Sequence, residues 1–98
     1  MALTKKFLKT KPVCKVTFAI AAAEADTVAV AGDFNNWDTT TPLKKLKNGT
    51  FKGTFDIPTE KSYEFKYVVD GEWVNEEAAD GYQWNDYAAA ENSVLELL

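Results

Sequence analysis

Apolar residues recur at every second position over several short stretches of this chain. That period predicts strands that bury one face and leave the other to solvent. Cys14, Val16, Phe18 and Ile20 share one face, with Lys15 and Thr17 on the other. Val28 and Val30 alternate with small Ala29 and Ala31 until Gly32 breaks the run. Leu43 and Leu46 sit among Lys44, Lys45 and Lys47, a short strand with a basic face. Phe51, Gly53, Phe55 and Ile57 alternate with Lys52, Thr54 and Asp56, and Tyr63, Phe65, Tyr67 and Val69 alternate with Glu64, Lys66 and Val68. Glu72-Trp73-Val74 reads as a short returning strand, and Asn92 to Leu98 as the last one. Asn48-Gly49 and Asp70-Gly71 read as hairpin turns, because both residues of each pair tolerate positive φ. Turn signals about every ten residues and the lack of a helical period predict an all-β, antiparallel β-sandwich of about seven strands.

Three segments escape this period. Residues 1–12 read as a flexible arm ending at Pro12, leaving 13–98 as a single sandwich domain. Residues 75–91 read as one long loop, and loops of that length in a small domain are often functional. Between them lies Gly32-Asp33-Phe34-Asn35-Asn36-Trp37-Asp38. Its polar neighbours give Trp37 no periodic route to a core, so either the loop folds it inward or it stands exposed to bind something.

Composition narrows the chemistry. The 98 residues include no His and no Arg, which removes the usual general base, the commonest transition-metal ligand and the bidentate fork for phosphate. Cys14 is the only cysteine, so no internal disulfide forms; it reads as a core residue, and a reducing, cytoplasmic setting is the simpler expectation. Net charge is −4, with Lys5, Lys6, Lys9, Lys11 and Lys15 at the start and eight acids but no base from Asp70 onward. An acidic second half argues against nucleic acid, and the lysine-rich start reads as a solvated, frayed end. Val16 to Ala23 after these lysines imitates a secretion signal, but the lysines run too far in, and no stretch is long enough to span a membrane.

Lys66 lies mid-strand on the outer face, because Tyr63, Phe65 and Tyr67 claim the core. Trp73 sits just across the Asp70-Gly71 turn; pattern alone allows it to face Lys66 or to pack inward. An outward Trp37 and Trp73 beside Lys66 would form an aromatic platform with a hydrogen-bond donor. Flat rings suit the C–H face of a pyranose, and Lys and Asn side chains suit its hydroxyls. Asp33, Asn35 and Asp38 offer oxygens at loop spacing, but they lack the glycine and terminal glutamate of a calcium loop, so they are expected to cap the loop's own backbone. Neither a metal nor a cofactor is expected.

Gly32 to Asp38, Pro42-Leu43, Tyr63 to Trp73 and Glu91-Asn92-Ser93-Val94-Leu95 stand in an order and spacing that resembles carbohydrate-binding module family 48. These are the early-set, immunoglobulin-like domains that precede the catalytic barrel of isoamylases and glycogen-branching enzymes. Similar domains form the glycogen-binding part of the β subunit of AMP-activated protein kinase. The resemblance implies a site for α-1,4-linked glucan in which Trp37 and Trp73 stack, Lys66 binds hydroxyls and Asn92 does likewise. Where the kinase subunits carry bulkier, hydroxyl-bearing residues, this chain has Ala88, Ala89 and Ala90, and 75–92 looks closer to the isoamylase branch. Tyr82, Trp84 and Tyr87 in the long loop either add to the site or pin the loop to the domain.

The expected function is non-catalytic binding of glycogen, starch or a maltooligosaccharide by a monomeric module. The alternative is a regulatory module that has lost sugar binding and partners a glycogen-metabolising enzyme. A hydrolase would need two carboxylates flanking a bond. Glu76, Glu77, Asp80 and Asp86 read instead as solvated loop charge, and the family's catalytic barrel is not in this sequence, so no catalytic residue is assigned.

Overall fold

The computed structural model describes residues 2–39, 42–86 and 89–97. Among them are nine strands and one 3-10 turn: β1 (Ala2–Phe7), β2 (Val13–Ala21), β3 (Val28–Gly32), the turn Asp33–Asn35, β4 (Lys44–Lys45), β5 (Thr50–Pro58), β6 (Ser62–Val69), β7 (Glu72–Val74), β8 (Gly81–Asn85) and β9 (Ala90–Glu96). They form the antiparallel sandwich that the period-two pattern predicts. One sheet runs β1-β2-β5-β4 and the other β3-β6-β9-β8. β7 also pairs with β6, at Tyr67–Val69, while β9 takes Ser62–Phe65 of the same edge. No described helix is long and apolar enough to cross a membrane.

The inward residues meet between the sheets, with Phe18 at the centre. Its ring contacts Phe34, Phe55, Phe65 and Tyr67 at centroid distances of 5.3–6.3 Å. Val16, Ile20, Val28, Val30, Ile57 and Leu95 fill the space around it, and Cys14 is buried among them as a small apolar residue. Asp70 and Gly71 both take positive φ, as a tight hairpin requires. The Asp70 carboxylate also accepts from the backbone N–H of Asp26 and Thr27, tying the β6–β7 turn to the approach of β3.

Two segments depart from the sequence reading. The expected arm contains β1, which pairs with β2 along its whole length. Leu3 packs against the core, and Lys5, on the same side of the strand, reaches the Asp80 carboxylate and the Glu96 carbonyl. A lysine in an inward position hides the period, and its acid partner lies far along the chain. The expected long loop contains β8, paired with β9 from Gly81↔Val94 to Asn85↔Ala90. Tyr82 and Trp84 do alternate with Gln83 and Asn85, but the run is short, exposed and framed by Asp80-Gly81 and Asn85-Asp86, so it reads as loop.

Candidate functional site

The loop after β3 is built from its own polar residues. Asn35 accepts from Gly32 N–H and donates to the Val30 carbonyl, closing the 3-10 turn. Asn36 and Trp37 both take left-handed φ, 57° and 56°, which turns the chain sharply back. Phe34 points inward onto Phe18, at 5.5 Å, and staples the loop to the core. Gly32 makes this path possible: a Cβ there would lie 2.6 Å from the Glu64 carbonyl oxygen and 2.7 Å from Phe65 Cβ.

Trp37 goes the other way. β3 and β7 lie on opposite sides of β6, yet the Trp37 and Trp73 rings are 6.3 Å apart and inclined at 53°. The loop therefore carries Trp37 back across the outer face of β6. Asp33 holds it there: one carboxylate oxygen accepts from the Trp37 indole N–H at 3.0 Å and the other from Glu64 N–H at 2.9 Å. The ring approach answers the open question about Trp73. It pairs with Val68, shares the outer face and is 50% exposed.

Lys66 pairs with Ala31 on that same face, half-buried, and no ion pair to it is found among the described residues. Asn92 extends the face onto β9 but is almost wholly buried, and its amide donates to Glu64 at 3.1 Å. Asp33, expected to cap its own loop, instead accepts from the Trp37 indole and from Glu64 N–H, and Glu64 has no role in the site that the sequence predicts. The signal for Glu64 was its alternation with Lys66 on the outer face; nothing in the sequence pairs it with Asn92.

Tyr82 and Trp84 do not join this surface. They pair with Ser93 and Glu91, and Ser93 pairs with the core residue Phe65, so both rings lie on the inner side of their sheet. Tyr87 and Ala88 lie outside the described residues, while Ala89 takes a positive φ of 51° just before β9.

Of the loop acids, Glu77, Asp80 and Asp86 are exposed as expected, and Glu76 is not. Glu76 is fully buried: it accepts from the Tyr67 hydroxyl at 2.7 Å and from Ala78 N–H, while its own N–H donates to Ser93 Oγ. Burial first, and then this carboxylate, raise the Tyr67 hydroxyl far above the usual phenol range. Asp80 accepts from Lys5 and from Glu96 N–H, and Asp86 from the Trp84 indole. Each of these three carboxylates has a structural partner.

A model of the family described as the glycogen recognition site of AMP-activated protein kinase matches residues 15–96. The chain belongs to this glycogen-recognition family. 5'-AMP-activated protein kinase subunit beta-2 of Mus musculus and of Homo sapiens are each 43% identical over 49 residues, 50% of this chain and 17% of theirs. Signal transduction protein MDG1 of Saccharomyces cerevisiae is 32% identical over 74 residues, 71% of this chain and 19% of its own. The chain thus spans less than a fifth of the length of these relatives. The glycogen-recognition family is a binding family and not a catalytic one. The family match begins after β1, although it includes all but one of the β2 residues that β1 pairs with.

Proposed function

We propose that this module binds α-1,4-linked glucan, without turnover, on the outer face of the β3-β6-β9-β8 sheet. The observation that carries the reading is the meeting of Trp37 and Trp73 across β6, on the face that also holds Lys66 and Asn92. Two inclined rings form a shallow apolar corner suited to the C–H faces of successive glucose units. Lys66 donates to hydroxyls. Glu64, with one oxygen on Asn92, keeps the other to accept from them.

A neutral polymer with a repeated unit fits an open platform better than a closed pocket, and weak affinity follows. Stacking contributes about 1 kcal/mol per ring beyond area burial. The test is a titration of isotope-labelled protein with maltoheptaose, following the Trp37 and Trp73 indole N–H signals. Both are expected to shift and saturate in the millimolar range. Trp37→Ala is expected to weaken the Trp73 response about fivefold or more. Indole signals that stay fixed at millimolar sugar would overturn the reading.

A further inference from the structure

We propose a second glucan-binding platform on the opposite face of the same sheet, made by Tyr82 and Trp84. The inference rests on the glucan reading of the first face. Tyr82 and Trp84 stand two residues apart on one side of edge strand β8, 47% and 54% exposed. Strand geometry separates such neighbours by about 7 Å. A pair of large rings on an exposed edge needs a reason, because apolar surface in water is otherwise a liability.

Their polar atoms are already committed within the protein. The Tyr82 hydroxyl donates to the Glu76 carbonyl, beside the buried Glu76 carboxylate. The Trp84 indole N–H donates to Asp86 at 2.6 Å, repeating the way Asp33 holds Trp37. Both rings are therefore held in orientation with their faces left for a ligand, which lowers the ordering penalty on binding. Glu91 pairs with Trp84 across the ladder and is exposed, a carboxylate acceptor for sugar hydroxyls beside the ring. Fixed ring faces with an adjacent hydroxyl acceptor reproduce the chemistry of the first face, which is why the same polymer is the occupant. Two platforms on opposite faces let one module engage two chains of a branched glucan, and such bivalency raises retention without any new contact at either site.

The chain has three tryptophans, so three indole N–H signals report both platforms in one maltoheptaose titration. The Trp84 signal is expected to shift with its own saturation curve and to keep that shift in the Trp73→Ala variant. Trp84→Ala is expected to leave the Trp37 and Trp73 shifts intact while lowering retention on immobilised glycogen about tenfold. Shifts at Trp37 and Trp73 with none at Trp84 would overturn this second platform and leave the first standing. So would a Trp84 shift that vanishes with Trp73→Ala, since it would report a change transmitted from the first face. A Trp84 signal indifferent to maltoheptaose but moved by a lysine-rich peptide would replace the sugar with a cationic partner. Movement of Trp84 alone would support this platform and sink the first.

Discussion

Asp33 is the residue on which the first face turns. Its two oxygens join three things that the sequence keeps apart: the loop, the indole of Trp37 and the backbone of β6 at Glu64. Removing that carboxylate leaves Phe34 in the core, so the fold stays while Trp37 loses its brace. Immobilising a large side chain costs about 0.5–1.5 kcal/mol, so Asp33→Ala is expected to weaken maltoheptaose binding about two- to tenfold with little change in urea midpoint. A titration beside an unfolding curve checks both halves. At this scale much was legible in the sequence. The alternation of Tyr63, Phe65 and Tyr67 placed Lys66 outward, and the structure puts it there. Asn35 caps its own loop as its residue type suggests. The Glu64–Asn92 bond and the burial of Glu76 were not legible, because each depends on partners 28 and 17 residues away that no local pattern connects.

Among the elements, two of the edge strands carry the departures. β1 and β8 pair on one side only, so their sequences answer to solvent as much as to the core. Lys5 looks like part of a solvated charge run, yet it lies inward and meets Asp80. β1 nevertheless belongs to the sheet remote from the Trp37–Trp73 face. Deleting residues 1–8 is therefore expected to lower stability by about 1 kcal/mol or more, from the lost packing of half-buried Leu3 alone. It also bares the edge of β2, so association that grows with protein concentration is expected, seen by light scattering. Glucan affinity measured on the remaining monomer is expected to hold, because β1 lies in the other sheet and its Lys5 reaches Asp80 and Glu96 rather than the residues of that face. The interior strands β2, β5 and β6 were legible as elements because they alternate cleanly over eight or nine residues.

Taken whole, the molecule favours the neutral form of three side chains in its core. Burial raises the Cys14 thiol and the Tyr63 hydroxyl, and burial with the Glu76 carboxylate raises Tyr67 further. Below the ordinary values of these groups, folded and unfolded chains hold the same protons and the contribution to stability is complete. Above about pH 10 the unfolded chain releases phenolic protons that the fold retains, so stability falls as pH rises, by at most about 1.4 kcal/mol per pH unit for each group. A urea midpoint that drops between neutral pH and about pH 11, with a shallower drop in Tyr67→Phe, checks the sign. The charges outside follow a different logic. Lys44 and Lys52 pair directly on the outer side of the first sheet, and Lys6 and Lys15 lie along the same sheet, while the acids after Asp70 gather around the second.

The centre of the sandwich is made of phenylalanine and tyrosine, and all three tryptophans stand outside it. Indole emission from this protein will therefore report little of its folding. The native spectrum should sit close to that of the denatured chain, and a melt followed at that wavelength will look shallow even as the core gives way. The same optical signal becomes a gauge of occupancy, because a sugar laid on the rings excludes the water that quenches and reddens them.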